Sequence, residues 1–323
     1  VFGALPRHEG TLSPVRSLEV KRRLDADLFA EVSVLIDQTW RADGVRPLND
    51  HLWLDLREGG RQGFACILAR EENHDHLVGY CQISRGNDSW SVEMIIHPHH
   101  RYDSIHIAPE LMGAALNVVA KEGGGHLHWW VFEPGQMHID VARQLGLHEG
   151  RRLLQMRRPL PFAELPNNSP QIRTQPFRVG QDEAAWLEVN NASFAAHPEQ
   201  GGWTLDTITA RQSEPWFDAD GFRMYWSRNE LAGFCWTKLH HEEKPLVGEI
   251  YVIAVHPERT AAGLGTALTI DGMNYLASKG ASSVMLYVDA DNAGALRMYQ
   301  RLGFVPHHTE RAFVGDVAPE TKV

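Results

Sequence analysis

The sequence predicts an α+β fold (α/β-like in element order) built from two tandem copies of one domain, and three observations predict it. First, the halves repeat each other. Leu77-Val78-Gly79-Tyr80-Cys81 recurs as Leu231-Ala232-Gly233-Phe234-Cys235, Ile95-Ile96-His97-Pro98 as Ala254-Val255-His256-Pro257, and Arg143-Gln144-Leu145-Gly146-Leu147 as Gln300-Arg301-Leu302-Gly303-Phe304. The offsets of 154, 159 and 157 are nearly constant, as tandem copies require. Second, strand-like and helix-like segments alternate within the C-terminal copy, so the class is α/β or α+β. Third, the proline-rich stretch from Pro159 to Pro170 denies both helix and central strand. The expected domains are therefore 1–160 and 171–323, joined by a linker at 161–170.

The C-terminal copy can be followed element by element. Glu249 to Val255 is β-branched and aromatic, hence a strand, and His256-Pro257 ends it. Gly263-Leu264-Gly265 then opens a helix to about Ser278. Its polar residues Asp271, Asn274 and Ser278 fall on one stripe, with Leu264, Leu268, Ile270, Met273 and Leu276 around the remainder. Gly280 is a stop. Ser283 to Val288 is a second strand. Asp291-Asn292 supplies an N-cap for a helix from Ala293 to Leu302. Phe304-Val305 is expected to start a last strand pair with Ala312-Phe313-Val314.

Composition narrows the function classes. A net charge of −10 argues against a nucleic-acid partner, which needs a concentrated basic face. Arg151, Arg152, Arg157 and Arg158 read as a solvated set flanking a strand. No apolar run reaches the roughly 18 residues that span a bilayer, and Val1 to Glu19 lacks a signal-peptide core. Three scattered cysteines, Cys66, Cys81 and Cys235, read as buried reduced thiols. The expectation is a cytoplasmic protein, monomeric, with no membrane or nucleic-acid partner. His74, His76, His97 to His100, His240, His241, His307 and His308 have no Cys or carboxylate at zinc-site spacing, so no metal is expected.

A strand, a Gly-x-Gly turn and a helix make a phosphate cradle, because glycines admit an anion to backbone N–H groups and the helix start adds its dipole. The cradle Gly263-Leu264-Gly265-Thr266 follows His256-Pro257-Glu258-Arg259 and precedes Asp291-Asn292 with Ala295 and Tyr299, then Leu302-Gly303-Phe304. This series resembles the GNAT acetyltransferase family. The resemblance implies a mixed, mostly antiparallel sheet flanked by helices in each domain, and acetyl-CoA as cosubstrate. Ile253, Ala254 and Val255 would offer backbone groups to pantetheine and thioester. Thr260, Ala261, Ala262, Gly263, Leu264, Gly265 and Thr266 would wrap the pyrophosphate. Asn292, Ala293, Gly294, Ala295, Leu296 and Arg297 would line the cofactor's other side. The family usually has Gln or Arg where Thr260 stands, so side-chain charge at the phosphate falls to Arg259 and weaker CoA binding is expected.

Amide formation needs a base for the attacking ammonium and an acid for the leaving thiolate. Glu249 stands four residues before Ile253, an even separation that puts both on one strand face; it is the expected general base. Tyr299, two turns after Asn292, is the expected general acid. Aligned at His97 and His256, Glu249 falls on Trp90, and Gly263 and Gly265 on Ser104 and His106; aligned on the Leu-Gly pair, Tyr299 falls on Ala142. The N-terminal copy thus lacks base, acid and cradle together.

A closer resemblance rests on Val189-Asn190-Asn191-Ala192-Ser193-Phe194, His197-Pro198-Glu199-Gln200-Gly201-Gly202-Trp203, Trp216-Phe217-Asp218, Trp236-Thr237-Lys238, Gly248-Glu249-Ile250-Tyr251-Val252 and Gln155 to Leu160. These segments are similar to the mycothiol synthases, tandem GNAT proteins with an active C-terminal domain. The similarity implies a small thiol-amine pseudo-disaccharide acceptor, cysteinyl-glucosaminyl-inositol, held by Asp50, Glu199, Lys238, Glu249 and Tyr287. It also implies a second acetyl-CoA site at Met94 to Ile96 and the following loop, which the missing glycines argue against. From the residues alone, another small amine acceptor, or a non-catalytic acyl-CoA sensor, stays open.

Overall fold

The structure, a computed structural model, describes residues 16–60, 62–71, 76–86, 89–162, 171–195, 197, 200–259 and 263–320. It divides into two units, Val1–Gly150 with Arg311–Val323, and Arg151–Glu310.

The first unit begins with β1 (Arg16–Lys21) and α1 (Ala26–Asp43). Asp25 caps α1 by accepting the Leu28 amide, and Gly44 closes it at φ 71°, a left-handed cap that glycine takes without a Cβ penalty. Then come α2 (Asp50–Arg57), β2 (Phe64–Glu71), β3 (Leu77–Arg85) and β4 (Ser89–Ile96). A short 3-10 helix, Pro98–Asp103, leads into α3 (Ser104–Lys121), followed by β5 (Gly125–Phe132), α4 (Gln136–Gln144) and β6 (His148–Pro159). Strands β1 to β4 are antiparallel in sequence order, and α3 crosses over to make β5 parallel to β4. One core lies under α3 around Trp90, Leu111 and Trp129. Another lies on the opposite face, under α1 and α2 around Leu35, Leu52 and Tyr80.

The second unit contains β7 (Gln175–Pro176), α5 (Glu183–Ser193), α6 (Leu205–Gln212), β8 (Phe222–Ser227), β9 (Glu230–His240) and β10 (Val247–Val255). It continues with α7 (Leu264–Ser278), β11 (Ser283–Asp289), α8 (Ala293–Arg301) and β12 (Val305–Val317). Here β8, β9 and β10 are antiparallel, and α7 makes β11 parallel to β10. The core under α7 holds Leu268, Met273 and Tyr299; the opposite face carries an aromatic cluster of Trp186, Phe222, Phe234 and Trp236.

The repeat seen in the sequence has a physical basis. A Cβ on Gly79 would lie 2.8 Å from Leu111 Cδ1 of α3, and one on Gly233 would lie 2.9 Å from Leu268 Cδ1 of α7. Each strand carries glycine so that its crossover helix can close on the sheet. The residues after β4 and β10 are pinned alike, His97 N–H to the Val78 carbonyl and His256 N–H to the Ala232 carbonyl, both at 2.9 Å.

Two sequence expectations are corrected. The expected boundary at 160 falls instead at Gly150/Arg151, inside β6, and residues 311–323 return to the first unit. Most of β6 pairs antiparallel with β11, from Leu153↔Asp289 to Pro159↔Ser283, whereas the far end of β12 lies beside β5. The expected final strand pair is one continuous strand, β12. Which sheet a strand joins is a non-local choice that a linear pattern does not carry. Residues 163–170 of the expected linker lie outside the described residues.

Candidate active site

The site expected from the sequence centres on β10, which contains a bulge. Its ladder with β9 runs regularly from Val247↔His240 to Ile250↔Thr237, then resumes at Val252↔Trp236, leaving Tyr251 as the extra residue. A bulge reverses the inside/outside alternation beyond it. Ile250 and Ile253, three residues apart, accordingly share the α7 face, while Val252 and Ala254 join the aromatic cluster. Glu249 therefore lies on the face opposite Ile253, not on the same one as even spacing suggested.

On that face Glu249 sits directly across from Lys238, and both are buried. The Lys238 ammonium lies 4.7 Å from the Trp216 ring centre and 5.5 Å from that of Tyr251. Such a cation–π wall holds the chain and leaves the charge in place. Glu249 Oε2 is 2.8 Å from His240 Nε2, and Glu242 approaches His240 Nδ1 at 3.7 Å. Burial opposes charge on His240, but the carboxylates of Glu242 and Glu249, the latter hydrogen-bonded to it, overcome it and lift the imidazole to about 9. The carboxylate of Glu249 is thus paired with an imidazolium at neutral pH. Sequence reasoning passed over His240. Its signal was the Lys-x-His spacing on β9, readable only once the hairpin register is known.

The same face continues onto β11. Met285 stands opposite Glu249, and Tyr287 follows two residues later. Gln155 of β6, opposite Tyr287, donates from Nε2 to the Tyr287 hydroxyl at 2.7 Å and accepts from Arg157 Nε at 2.7 Å. Burial and the nearby carboxylates of Glu310 and Glu249 push the Tyr287 phenol above its ordinary value. The parallel ladder of β10 and β11 ends at Ile250↔Leu286, while β10 goes on to Val255 and β11 to Asp289. The backbone of Ile253, Ala254 and Val255 lies on this stretch beyond the ladder.

Helix α7 starts from Gly263 at φ 80°, a left-handed conformation suited to glycine. Its first-turn amides, of Leu264, Gly265 and Thr266, have no helical acceptor, as at any helix start. Thr260, Ala261 and Ala262 lie outside the described residues. Arg259 is already engaged: its guanidinium meets Glu188 at 3.0 Å, Glu230 at 3.1 Å and the Leu231 carbonyl at 3.0 Å. Helix α8 packs against the start of α7, with Met298 Sδ 3.5 Å from where a Cβ on Gly265 would be. Asn292 caps α8 by accepting the Ala295 amide at 3.0 Å, and Ala293, Gly294 and Arg297 are exposed beside it. Tyr299 is buried against Phe304, 5.7 Å between rings, and burial raises its phenol well above the ordinary value.

The distinctive segment from Asn190 to Trp203 proves to be one clamp. Asn190, fully buried, donates to the Gln200 carbonyl at 2.9 Å and accepts from the Gln200 side chain at 3.1 Å. Asn191 exchanges two bonds of 2.9 Å with the Trp203 backbone. Losing such a buried partner costs about 1–3 kcal/mol. A Cβ on Gly201 would collide with the Phe194 carbonyl oxygen, so only glycine closes the loop. His197 accepts the Gln200 amide at 3.0 Å and meets Arg151 at 3.0 Å, and Arg151 pairs with Asp289. Burial and then Arg151 drive His197 down to about 4, keeping it neutral. Glu199 lies outside the described residues. Asp50 begins α2 in the first unit, and its side chain is not described.

The first unit lacks these features. Its α3 starts after Asp103, whose buried carboxylate lies 2.6 Å from His106 Nδ1. The β3–β4 ladder is continuous from Gly79↔Ile96 to Arg85↔Trp90, with no bulge. Counted along the ladders from Gly79 and Gly233, the Lys238–Glu249 pair corresponds to Ser84–Ser91. The ungapped match of Glu249 to Trp90 is thus off by one residue, the residue the bulge inserts. Tyr299 corresponds to Ala142, buried in α4.

A three-stranded antiparallel run, a splayed parallel neighbour, a glycine-led crossover helix and a buried strand carboxylate define a GNAT acetyltransferase. Residues 184–304 match the model of the acetyltransferase (GNAT) family. The chain is 39% identical to the mycothiol acetyltransferase of Acidimicrobium ferrooxidans, over 88% of this chain and 93% of that one. It is 40% identical to that of Thermobispora bispora, over 84% and 91%. A solved tandem GNAT protein from the clavulanic acid biosynthesis pathway shares the fold, with a TM-score of 0.67 at 19% identity, over 94% of this chain and all of that one. The chain belongs to the mycothiol acetyltransferase family, and it is an acetyltransferase of the class that takes an acyl-CoA cosubstrate.

Proposed function

We propose that the chain transfers the acetyl group of acetyl-CoA to the cysteinyl amine of cysteinyl-glucosaminyl-inositol, giving mycothiol. The observation that carries this reading is the buried Glu249–Lys238 pair on the face that also presents His240, Tyr287 and Gln155, a set of polar groups suited to a polyol amine. Relatives bearing the mycothiol acetyltransferase name over about nine-tenths of the chain support the acceptor.

Glu249 takes the proton from the acceptor ammonium, directly or through a water, and the freed amine attacks the thioester carbonyl. The C–N bond forms and the C–S bond breaks; Tyr299 gives its proton to the departing thiolate, and the second nitrogen proton, lost as the amide forms, restores the phenol through solvent. Burial keeps the Tyr299 phenol protonated throughout the neutral range, so its proton is present when the thiolate departs, while making it a weaker donor than an exposed phenol. The backbone of Ile253, Ala254 and Val255 receives pantetheine and thioester, the run from Thr260 to Thr266 the pyrophosphate, and the start of α8 from Asn292 to Arg297 the opposite side. Lys238, Glu249 and Tyr287 hold the acceptor, with Glu199 as a further contact.

The test is release of free CoA from acetyl-CoA with a panel of amines. The expected outcome is turnover with cysteinyl-glucosaminyl-inositol far above that with glucosamine, cysteine or simple amino acids. Equal turnover with an unrelated amine would move the acceptor assignment, and no release with any acceptor would leave a sensor.

A further inference from the structure

The first unit carries a cluster of ligand-type side chains that acetyl transfer does not use. Glu71 closes β2, His76 immediately precedes β3, and His100 lies in the 3-10 helix Pro98–Asp103. One ligand-capable atom from each lies within 4.8 Å of the other two. The Nε2 atoms of His76 and His100 are 3.0 Å apart. Two imidazole nitrogens on one tetrahedral ion at about 2.0–2.1 Å stand roughly 3.3 Å apart, so a small adjustment admits an ion between them.

The cluster is held by the fold rather than by chance side-chain contact. His97 N–H donates to the Val78 carbonyl at 2.9 Å and His100 N–H to the His97 carbonyl at 2.8 Å, which ties the 3-10 helix to β3. All three side chains are half-buried, so the ligand atoms are neither sealed off nor fully solvated. Further imidazoles surround them: the His97 ring is 5.5 Å from that of His100 and 6.3 Å from that of His76. Arg101, next to His100, is turned to Asp43 in a two-pronged pair at 2.7 and 2.6 Å.

We propose that Glu71, His76 and His100 form a site for one divalent transition-metal cation of the zinc type, with water as the fourth ligand. Two imidazoles and one carboxylate suit zinc, nickel or copper, whereas calcium and magnesium require an oxygen shell. The site ties the β2–β3 hairpin to the segment that stands where the second unit has its glycine turn. It departs from the expectation of no metal. That expectation looked for ligands at fixed sequence spacing, and these come from separate elements.

The test uses the full chain, stripped with a chelator, and Zn2+ alone as the probe, in competition with a chromophoric chelator at pH 7.5. Expected is saturable binding of one ion per chain and a rise in Tm on adding Zn2+. Magnesium in excess should not compete. His76→Gln and His100→Gln should each weaken binding at least about tenfold, since even outer-shell partners cost 10–100-fold, and should abolish the Tm rise. Glu71→Gln should weaken binding without disturbing an imidazole, which separates ligand loss from a folding defect. His307→Gln/His308→Gln removes another adjacent imidazole pair, with rings 4.1 Å apart, and should leave binding intact. Absence of stoichiometric binding, or equal loss in the His307/His308 double variant, would overturn the site.

Discussion

The two units run through the same elements and part company at one strand. In both, the parallel ladder is four pairs long and stops at equivalent residues, Val92 of β4 and Ile250 of β10. The splay between parallel strands is therefore a property of the fold. What differs is the single inserted residue, Tyr251, and the start of the crossover helix. In the second unit the insertion leaves Glu249 across from Lys238 on the face that carries Tyr287, while beyond it Ile253 and Val255 turn to α7 and Val252 and Ala254 to the aromatic cluster. In the first unit the uninterrupted β4 has Ser91 at that position. At the helix start, the second unit has glycine, and the first has the buried carboxylate of Asp103. A helix N-terminus favours an anion. The first unit supplies its own there, which disfavours a phosphate.

The sharpest way to break this comparison is to remove the proposed base on one side and its counterpart on the other. Glu249→Gln should lower the acetylation rate by about 10²–10⁴-fold, the usual weight of a positioned general base, with acetyl-CoA affinity nearly unchanged. Ser91→Ala should leave the rate as it is. Tyr299→Phe in the same assay should cost less than Glu249→Gln, because water can protonate a thiolate. Wild-type turnover in Glu249→Gln across pH would end its assignment as base.

Cofactor stoichiometry is the next measure. Calorimetric titration of the full chain with CoA should give one site, lost on Gly263→Val, which forces a β-branched residue to φ 80°. Two equivalent sites would show that the Asp103 carboxylate does not exclude phosphate.

The smallest expected effect concerns His240. Its folded value of about 9 lies above the ordinary 6.5 or so, so its proton binds the folded state more tightly. That stabilisation is fully present below about pH 6.5 and is lost as pH rises through about 9. Wild-type Tm should fall between pH 7 and 10, and His240→Gln should be lower at pH 7 with a flatter profile over that range. Parallel profiles for the two proteins would show that the Glu242–His240–Glu249 contacts carry no net charge coupling.

Much of the second unit was legible in order. The strand to Val255, the helix from Leu264, the Asn292 cap and the tandem repeat are written in local terms: β-branched runs, glycine conformations, side-chain caps and period. The Asn190-Asn191 and His197 to Trp203 segments announced themselves by composition, though not that they hold each other. Other features depend on groups far apart in the chain. The face that Glu249 takes was set by a bulge, and one inserted residue reverses every parity argument beyond it. Arg259 looked like free charge for a phosphate and is held by Glu188 and Glu230. The end of β12 belongs with the first unit and most of β6 with the second, because a strand pairs with whichever edge tertiary packing brings to it. The sequence by itself determined the repeated fold, the glycine cradle and which copy kept a carboxylate and a phenol. Only the tertiary structure decided which way that carboxylate turns and what stands beside it, since both depend on the register of β9 against β10 and on the bulge within it.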